Sequence, residues 1–229
     1  MTTIEPARHS SGAPGSSAPM RPAGLAAVTV DGYGTLLELE GPLDRLRAAL
    51  ESRGVHRSPE DVRAAFSAEV RYYRPRSHFG RDAETLAALR VACARVFLDH
   101  LAADLEPARF VDDFMGALTF RPLDGVAAAL EAIRELGLRI AVVSNWDCSL
   151  PETLRQIGLL SLVDAVVTSA EAGFPKPRPE PFLLALERLG VEPGWAVHVG
   201  DEADDERGAV AAGMRFMPAP LSGVVEALA

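Results

Sequence analysis

Short apolar segments alternate with helical patterns over the second half of the chain, and this alternation restricts the fold more than any other feature. Val126–Leu136 has helical spacing and is followed by Gly137, and Leu138–Val143 is an apolar run interrupted by Arg139. Further short, mostly apolar runs follow at 165–167, 196–199 and 214–217. Strands that alternate with helices predict a parallel, doubly wound sheet. We therefore expect an α/β fold of the Rossmann-like type.

A long helical region separates the first predicted strand, Leu25–Val30, from this alternating part of the chain. Apolar residues recur at helical spacing between about residues 42 and 118. One of the predicted helices has its apolar face at Val62, Phe66, Val70 and Tyr73. Because this region interrupts the path from the first strand to the second, we predict an all-helical cap at 41–118. The core would then consist of residues 24–40 and 119–229.

Composition limits the partners and the location that this chain can have. Residues 1–23 are rich in Ser, Ala, Pro and Gly and lack the apolar centre of a signal peptide, so we expect a disordered tail. Translation could start at Met1 or at Met20. The formal net charge of -9 disfavours binding to nucleic acid, and no apolar run is long enough to span a membrane. Cys93 and Cys148 fit no disulfide framework. We expect a cytoplasmic monomer or homodimer.

Polar residues follow each of four predicted strands. Asp31 comes directly after the first strand, Ser144–Asn145 after the second, Lys176 beyond the third, and Gly200–Asp201 with Asp205 after the fourth. Taken singly, these residues have structural explanations as turn, helix-capping or solvated side chains. Ligands of doubly wound sheets bind at the carboxyl ends of the strands. Four such segments at one edge of a sheet therefore predict an active site.

The four segments resemble the motifs of the haloacid dehalogenase-like hydrolases. Val30–Leu36, with the sequence VDGYGTL, resembles the D-x-x-G-T-L motif that opens these proteins. Val143–Asn145 resembles their second motif, Lys176–Pro177 their third, and Gly200–Asp201 with Asp205 their acidic fourth. The resemblance covers nearly everything after the tail, including a helical cap inserted after the first strand, as in subfamily I. It implies a hydrolase with a nucleophilic aspartate.

The resemblance also implies roles for individual residues. Asp31 would attack phosphorus and form an aspartyl-phosphate, which splits hydrolysis into two easier steps. Ser144 and Lys176 would assist catalysis and, together with Asn145, bind the phosphate by donating hydrogen bonds to it. The backbone N–H groups of the turn formed by Gly32, Tyr33 and Gly34 would complete an anion-binding nest.

A magnesium ion is expected at the same site. Three clustered carboxylates would raise one another's pKa values and weaken the nucleophile, and a divalent cation removes this difficulty. Hard oxygen ligands with room for water and phosphate suit Mg²⁺. We predict that Asp31, the backbone carbonyl of Tyr33 and Asp201 bind Mg²⁺. Asp205 would be a further ligand or an acceptor that holds the ligands in place.

Tyr33 departs from the pattern of the phosphatases. These enzymes have a second aspartate at this position as the catalytic acid and base, and a phenol is a poor substitute at neutral pH. Dehalogenases that act on 2-haloacids often have tyrosine here, but they need no metal and typically lack the acidic fourth motif. We therefore expect a Mg²⁺-dependent phosphatase that acts on a small phosphorylated metabolite. A 2-haloacid dehalogenase and a binding or regulatory protein with little turnover are the alternatives. Arg74 and His78 are candidate contacts for the distal part of the substrate.

Overall fold

The core of the protein is a sheet of five parallel strands. It is seen in a computed structural model that describes residues 24–228, so the tail expected at 1–23 lies outside the described residues. Numbered along the chain, the strands lie side by side in the order β5 (Ala165–Thr168), β4 (Arg139–Ser144), β1 (Ala27–Val30), β6 (Ala196–Gly200) and β7 (Arg215–Pro218). The predicted parallel α/β sheet is confirmed, and β1 forms hydrogen bonds with a strand on each side.

Helices cover both faces of this sheet. They are α5 (Val126–Glu135), α6 (Leu150–Gln156), α7 (Ser169–Ala172), α8 (Glu180–Leu189), α9 (Ala203–Ala211) and α10 (Leu221–Leu228). Because side chains alternate along a strand, Val28 and Val30 of β1 pack on the side of α5 and α10, while Ala27 packs on the side of α8 and α9. Thr29 therefore lies on the α8 and α9 side. The central strands β1, β4 and β6 are buried on both faces except at Arg139, as is usual for largely apolar strands of a parallel sheet.

Four helices lie between the first and second strands of the parallel sheet. They are α1 (Pro42–Ser52), α2 (Pro59–Tyr73), α3 (Ala83–His100) and α4 (Pro107–Ala117). α2 begins after an N-terminal cap, because the Ser58 side chain accepts a hydrogen bond from the backbone N–H of Asp61. These helices share an apolar cluster of their own, in which Phe97 packs against Phe110 and Phe114. The domain boundaries given above stay predictions.

Two short strands connect the helical region to the parallel sheet. β2 (Leu37–Leu39) and β3 (Phe120–Pro122) pair antiparallel, and the backbone N–H of Glu40 donates to the carbonyl of Thr119 at 2.8 Å. The chain therefore leaves and re-enters the core at adjacent positions. These three-residue strands were not expected from the sequence, because each is too short for a periodic pattern. None of the described helices is both long enough and apolar enough to cross a membrane.

Candidate active site

Lys176 lies at the centre of the candidate site. Its ammonium group forms ion pairs with Oδ1 of Asp31 and, at 2.5 Å, with Oδ1 of Asp205, and it donates to the carbonyl of Val143 at 3.0 Å. The hydroxyl of Ser144 donates to Asp31 Oδ1 at 3.3 Å. Each of these residues is at most 6% exposed. Residues from four separate strand ends thus converge on one buried charge cluster, although the roles assigned to them stay predictions.

The three charged groups of this cluster shift one another's pKa values. Burial raises the pKa of Asp31 to about 6, and the charge of Asp205 adds to this effect while Lys176 opposes it. Burial also disfavours the charged form of Asp205, but the hydrogen bond from His198 and the charge of Lys176 outweigh it and lower the pKa of Asp205. The pKa of Lys176 is raised, because the two carboxylates more than offset its burial. Lys176 is therefore a protonated bridge between two acids.

Asp201 brings a third carboxylate to the cluster. One oxygen from each of Asp31, Asp201 and Asp205 lies within 4.8 Å of the others. Partial burial raises the pKa of Asp201, with smaller contributions from the charges of Asp205 and Glu202, and the Thr35 hydroxyl donates to Asp201 Oδ1 at 3.3 Å. This all-oxygen donor set is the kind that Mg²⁺ prefers. The residues therefore fit a divalent cation.

Both oxygens of Asp205 already have partners within the protein. Oδ1 accepts from Lys176 and from His198, and Oδ2 accepts from the backbone N–H of Glu202 at 3.0 Å. A direct metal bond would compete with these contacts. Of the two alternatives stated for Asp205, the geometry therefore favours an acceptor that orients its neighbours over a metal ligand.

Glycine is required at two positions of the turn after β1. A Cβ atom at Gly32 would lie 2.8 Å from the Ser144 hydroxyl, closer than real Cβ atoms approach other atoms. Gly34 has a φ of 87°, and a Cβ atom there would overlap the Asp201 carboxylate. The expected anion nest is wrong in one respect. The N–H of Gly34 donates to the carbonyl of Leu37 at 2.9 Å, so it is not free to bind an anion.

Asn145 holds the main chain at Lys176. Its Oδ1 accepts from the backbone N–H of Lys176 at 2.7 Å, and its Nδ2 donates to the carbonyl of Lys176 at 3.1 Å. The amide side chain thereby fixes the loop from which the lysine reaches Asp31. One hydrogen on Nδ2 remains for a ligand, so the predicted phosphate contact of Asn145 stays a prediction beside this structural one.

Tyr33 and Arg74 lie on the solvent side of the cluster. The Tyr33 side chain is 49% exposed, in contrast to the buried Asp31 two residues before it. Arg74 forms an ion pair with Glu202, which directly follows Asp201. His78 packs against Phe79, with ring centroids 4.1 Å apart. Of the two candidate contacts for a distal substrate group, Arg74 is therefore placed beside the acidic loop.

A 3₁₀ turn at Arg74–Phe79, here called the bridging segment, connects the inserted helices to the strand-end loops. Directly before it, the Tyr73 hydroxyl donates to Asp147 Oδ2 at 2.8 Å. Within it, the Ser77 and Ser169 hydroxyls are 3.2 Å apart. Directly after it, the carbonyl of Gly80 accepts from the backbone N–H of Cys148 at 2.8 Å. These contacts hold the helical region above the carboxyl ends of β4 and β5.

Thr29 and His198 also belong to the site, although no pattern in the sequence predicts a role for either residue. His198 is fully buried, and its ring nitrogens lie 2.8 Å from the Thr29 hydroxyl and 3.2 Å from Asp205 Oδ1. The signal available in the sequence was a histidine inside a predicted strand, three residues before Asp201. Only the register of β1 and β6, which pairs Thr29 with His198, shows that the two polar side chains meet.

The chain is similar to known proteins of one hydrolase family. The sequence model of a hydrolase family described as haloacid dehalogenase-like hydrolase matches residues 25–213. The chain is 41% identical over 119 residues to the haloacid dehalogenase-like hydrolase domain-containing protein 3 of Bos taurus, covering 50% of this chain and 47% of that protein. It is 42% identical over 96 residues to a glyceraldehyde 3-phosphate phosphatase of Methanopyrus kandleri, covering 41% of each. The chain thus spans about half the length of the curated relatives it matches.

The fold is also similar to solved structures. An L-2-haloacid dehalogenase from Xanthobacter autotrophicus superposes with a TM-score of 0.64 and 26% sequence identity, over 84% of this chain and 76% of that one. The similarity therefore extends over most of this chain.

Proposed function

Because the chain belongs to the haloacid dehalogenase-like hydrolase family, we propose that it is a Mg²⁺-dependent phosphatase that hydrolyses a small phosphorylated metabolite. The observation that carries the proposal is the carboxylate of Asp201, which lies beside Asp31 and Asp205. A carboxylate that attacks an anionic phosphate needs a cation beside it, whereas displacement of halide from carbon does not. The relative named as a glyceraldehyde 3-phosphate phosphatase supports the same reaction class.

The reaction proceeds in two steps at Asp31. A carboxylate oxygen of Asp31 forms a bond to phosphorus, and the bond from phosphorus to the ester oxygen breaks, with its electron pair leaving on that oxygen. Water then attacks the aspartyl-phosphate, which releases inorganic phosphate and regenerates the carboxylate. The Ser144 hydroxyl and the Lys176 ammonium group, both within reach of Asp31 Oδ1, donate to the phosphoryl oxygens and stabilise their charge.

The metal site in this proposal consists of Asp31, Asp201 and the backbone carbonyl of Tyr33. A Mg²⁺ ion held by these oxygens would supply positive charge that offsets the repulsion of an anionic phosphate by the carboxylates. Asp205 is assigned to hold Lys176, since both of its oxygens accept hydrogen bonds within the protein. The helices at 41–118 act as the cap, and Arg74 contacts the distal group of the substrate.

Tyr33 determines which phosphate esters react fastest. No carboxylic acid stands at this position to protonate the leaving oxygen, and the exposed phenol is a weak proton donor at neutral pH. We therefore expect rates to rise steeply with the acidity of the leaving group, so that aryl and acyl phosphates react faster than alkyl phosphates. A series of substituted phenyl phosphates measures this dependence, and a flat series would contradict it. Tyr33→Asp should raise turnover of alkyl phosphates most.

The decisive experiment is a substrate panel that records phosphate release and halide release in parallel, with Mg²⁺ and with a chelator. The panel contains phenyl phosphates, acyl phosphates, sugar phosphates, glyceraldehyde 3-phosphate and 2-chloropropionate. We expect phosphate release only when the metal is present. Asp31→Asn should abolish this activity, which excludes a contaminating enzyme.

A 2-haloacid dehalogenase is the second candidate, favoured by Tyr33 and by the similarity to a solved dehalogenase of 26% identity. A matched pair of variants separates the two functions. Asp201→Asn removes a metal ligand and should reduce phosphatase activity about 100-fold or more, but it should leave metal-free halide displacement unaffected. Glu206→Gln removes an exposed carboxylate from the neighbouring helix and should change neither activity. If the wild-type protein released neither phosphate nor halide from any compound of the panel, a binding or regulatory role would be favoured.

A further inference from the structure

A chain of buried hydrogen bonds lies beneath the candidate active site. The Thr29 hydroxyl meets His198 Nδ1 at 2.8 Å, and His198 Nε2 meets Asp205 Oδ1 at 3.2 Å. The same Asp205 oxygen accepts from Lys176, which in turn pairs with Asp31. Thr29 and His198 are completely buried and Asp205 is 1% exposed. A continuous polar path therefore runs from the middle of β1 to the proposed nucleophile.

The direction of each hydrogen bond follows from the partners. Asp205 pairs with a protonated lysine and is an acceptor, so His198 Nε2 must carry the hydrogen. Nδ1 of a neutral ring is then bare and accepts from the Thr29 hydroxyl. Burial favours the neutral ring and lowers the pKa of His198 to about 4, although Asp205 opposes this shift. The network thus assigns one tautomer to His198.

The ring of His198 has little freedom to move. It lies edge-on against Phe182, with ring centroids 4.8 Å apart and an interplanar angle of 87°. Phe216 lies on the neighbouring strand, 6.5 Å away between centroids. With its plane held by packing and one nitrogen held by Thr29, the ring directs its remaining N–H at Asp205 Oδ1.

We propose that His198, oriented by Thr29, is a positioning residue for the phosphatase reaction: it fixes the Asp205 carboxylate and thereby the Lys176 ammonium group against Asp31. Asp205 Oδ2 is held by the N–H of Glu202, and His198 supplies the hydrogen bond that holds Oδ1 on the side of Lys176. Without it, the carboxylate can turn and the lysine can follow it away from the nucleophile. The inference rests on the proposed function for its kinetic consequences only.

Two amide variants separate positioning from simple packing. Gln places its side-chain N–H near the position of His Nε2, whereas Asn reaches only the position of Nδ1. We expect His198→Asn and His198→Phe to lower kcat about 10- to 100-fold with KM nearly unchanged, and His198→Gln to keep most of the activity. Thr29→Val should have a smaller effect of the same kind. Equal decreases in kcat for His198→Gln and His198→Asn would overturn the proposal. Decreases in kcat that only follow the decreases in thermal stability of the variants would overturn it as well.

A second measurement needs no enzymatic activity. Lys176 is the only lysine among the 229 residues, so isotope-labelled lysine gives a single side-chain signal in an NMR spectrum. We expect this signal to shift in His198→Asn and His198→Phe but to stay near the wild-type position in His198→Gln. The ring ¹⁵N signals of His198 should show hydrogen on Nε2. The inference would be overturned by hydrogen on Nδ1 of His198. It would also be overturned if the Lys176 signal kept its wild-type position in all three variants, even if no phosphate ester were hydrolysed.

Absence of phosphate release by the wild-type protein, together with the expected lysine shifts, would contradict the proposed function alone. His198 would then still position Lys176, in a site that serves a different reaction.

Discussion

The charge cluster around Lys176 at the strand ends and the inserted helical region each bury a carboxyl group. The pKa values of these two groups are shifted in opposite directions. Asp205 at the sheet is 1% exposed and lies against Lys176 and His198, which lower its pKa. Glu69 of α2 is 5% exposed, and in residues 24–228 it forms no ion pair; its neighbour Cys93 is also buried. Burial raises the pKa of Glu69 to about 7. Burial alone therefore does not determine charge, because the neighbouring groups decide which form persists.

Removal of Lys176 should have the largest effect on stability, because it leaves buried carboxyl groups in the core without a cation, as Glu69 is in the helical region. Lys176→Met leaves Asp31 and Asp205 facing each other without a cation. We expect the free energy of unfolding to fall by about 3–5 kcal/mol at neutral pH, the usual result of removing one member of a buried pair. Urea unfolding with a chelator present, so that no metal replaces the lysine charge, measures the loss.

The loss of unfolding free energy in Lys176→Met should become smaller as the pH falls, because protonation of Asp31 or Asp205 removes the repulsion between the two carboxylates. Arg178→Met is the matched control: this cation of the same loop is exposed and pairs with Glu180, so its removal should cost about 0.5 kcal/mol or less. Equal losses in the two variants would contradict the importance of burial.

Glu69→Gln tests the opposite case, in which a carboxyl group is buried without a cation. The pKa of Glu69 rises from the ordinary 4.5 to about 7 in the folded protein. The folded state therefore binds more protons than the unfolded state between these values, and Glu69 lowers stability as the pH rises through them. At pH values above both pKa values, this shift corresponds to a destabilisation of the folded protein by about 3 kcal/mol.

We expect the stability of Glu69→Gln relative to wild type to increase by about 2–3 kcal/mol from about pH 4 to about pH 8. Unfolding curves at several pH values measure it. Glu131→Gln, at an exposed position of α5, should show no such trend. A pH-independent difference for Glu69→Gln would mean that a cation or water compensates the buried charge.

The hydrogen bond between the two regions should have an intermediate effect. Tyr73→Phe removes the donor to Asp147, and burial together with the Asp147 charge raises the pKa of Tyr73, so the hydroxyl stays protonated. We expect a loss of about 1.5 kcal/mol in unfolding free energy, typical of a hydrogen bond to a charged group. Tyr72→Phe is the control, since the neighbouring Tyr72 packs under Arg76 instead. If Tyr73→Phe left the unfolding free energy unchanged, the other contacts of the bridging segment would be sufficient to hold the helical region on the core.

The smallest effect is expected for the exposed ion pair between the two regions. The side chains of Arg74 and Glu202 are 60% and 44% exposed. Solvated pairs contribute about 0–1 kcal/mol, so Glu202→Gln should change the unfolding free energy by less than Tyr73→Phe does. A larger loss, measured in low and in high salt, would mean that the pair orders the acidic loop beside Asp201.

The sequence predicted the residues that follow strands better than the residues that lie within elements. Asp31, Ser144, Lys176 and Asp201 could be found because the carboxyl ends of parallel strands meet at one edge. Glu69 could not, because the predicted apolar face of α2 gives no sign that a glutamate between Phe66 and Tyr73 is buried. The buried positions of this helix are Val62, Ala65 and Glu69.

Long-range pairing explains the other differences from expectation. The contact between Thr29 and His198 spans 169 positions of the chain and depends on strand register, which local patterns do not encode. The N–H of Gly34, expected to bind an anion, is instead used by the turn itself. Such contacts depend on where distant segments meet, so only coordinates reveal them.

The pairing of β2 with β3 makes the helical region a replaceable part. Since the chain departs at Glu40 and returns at Thr119 through hydrogen-bonded neighbours, a tight turn could join the two strands and leave a simple hairpin. Substitution of the intervening helices by those of another hydrolase would need no new path through the sheet. If the helices form the proposed cap, such a substitution would change the surface that faces the substrate, while the buried charges of the core would remain as they are.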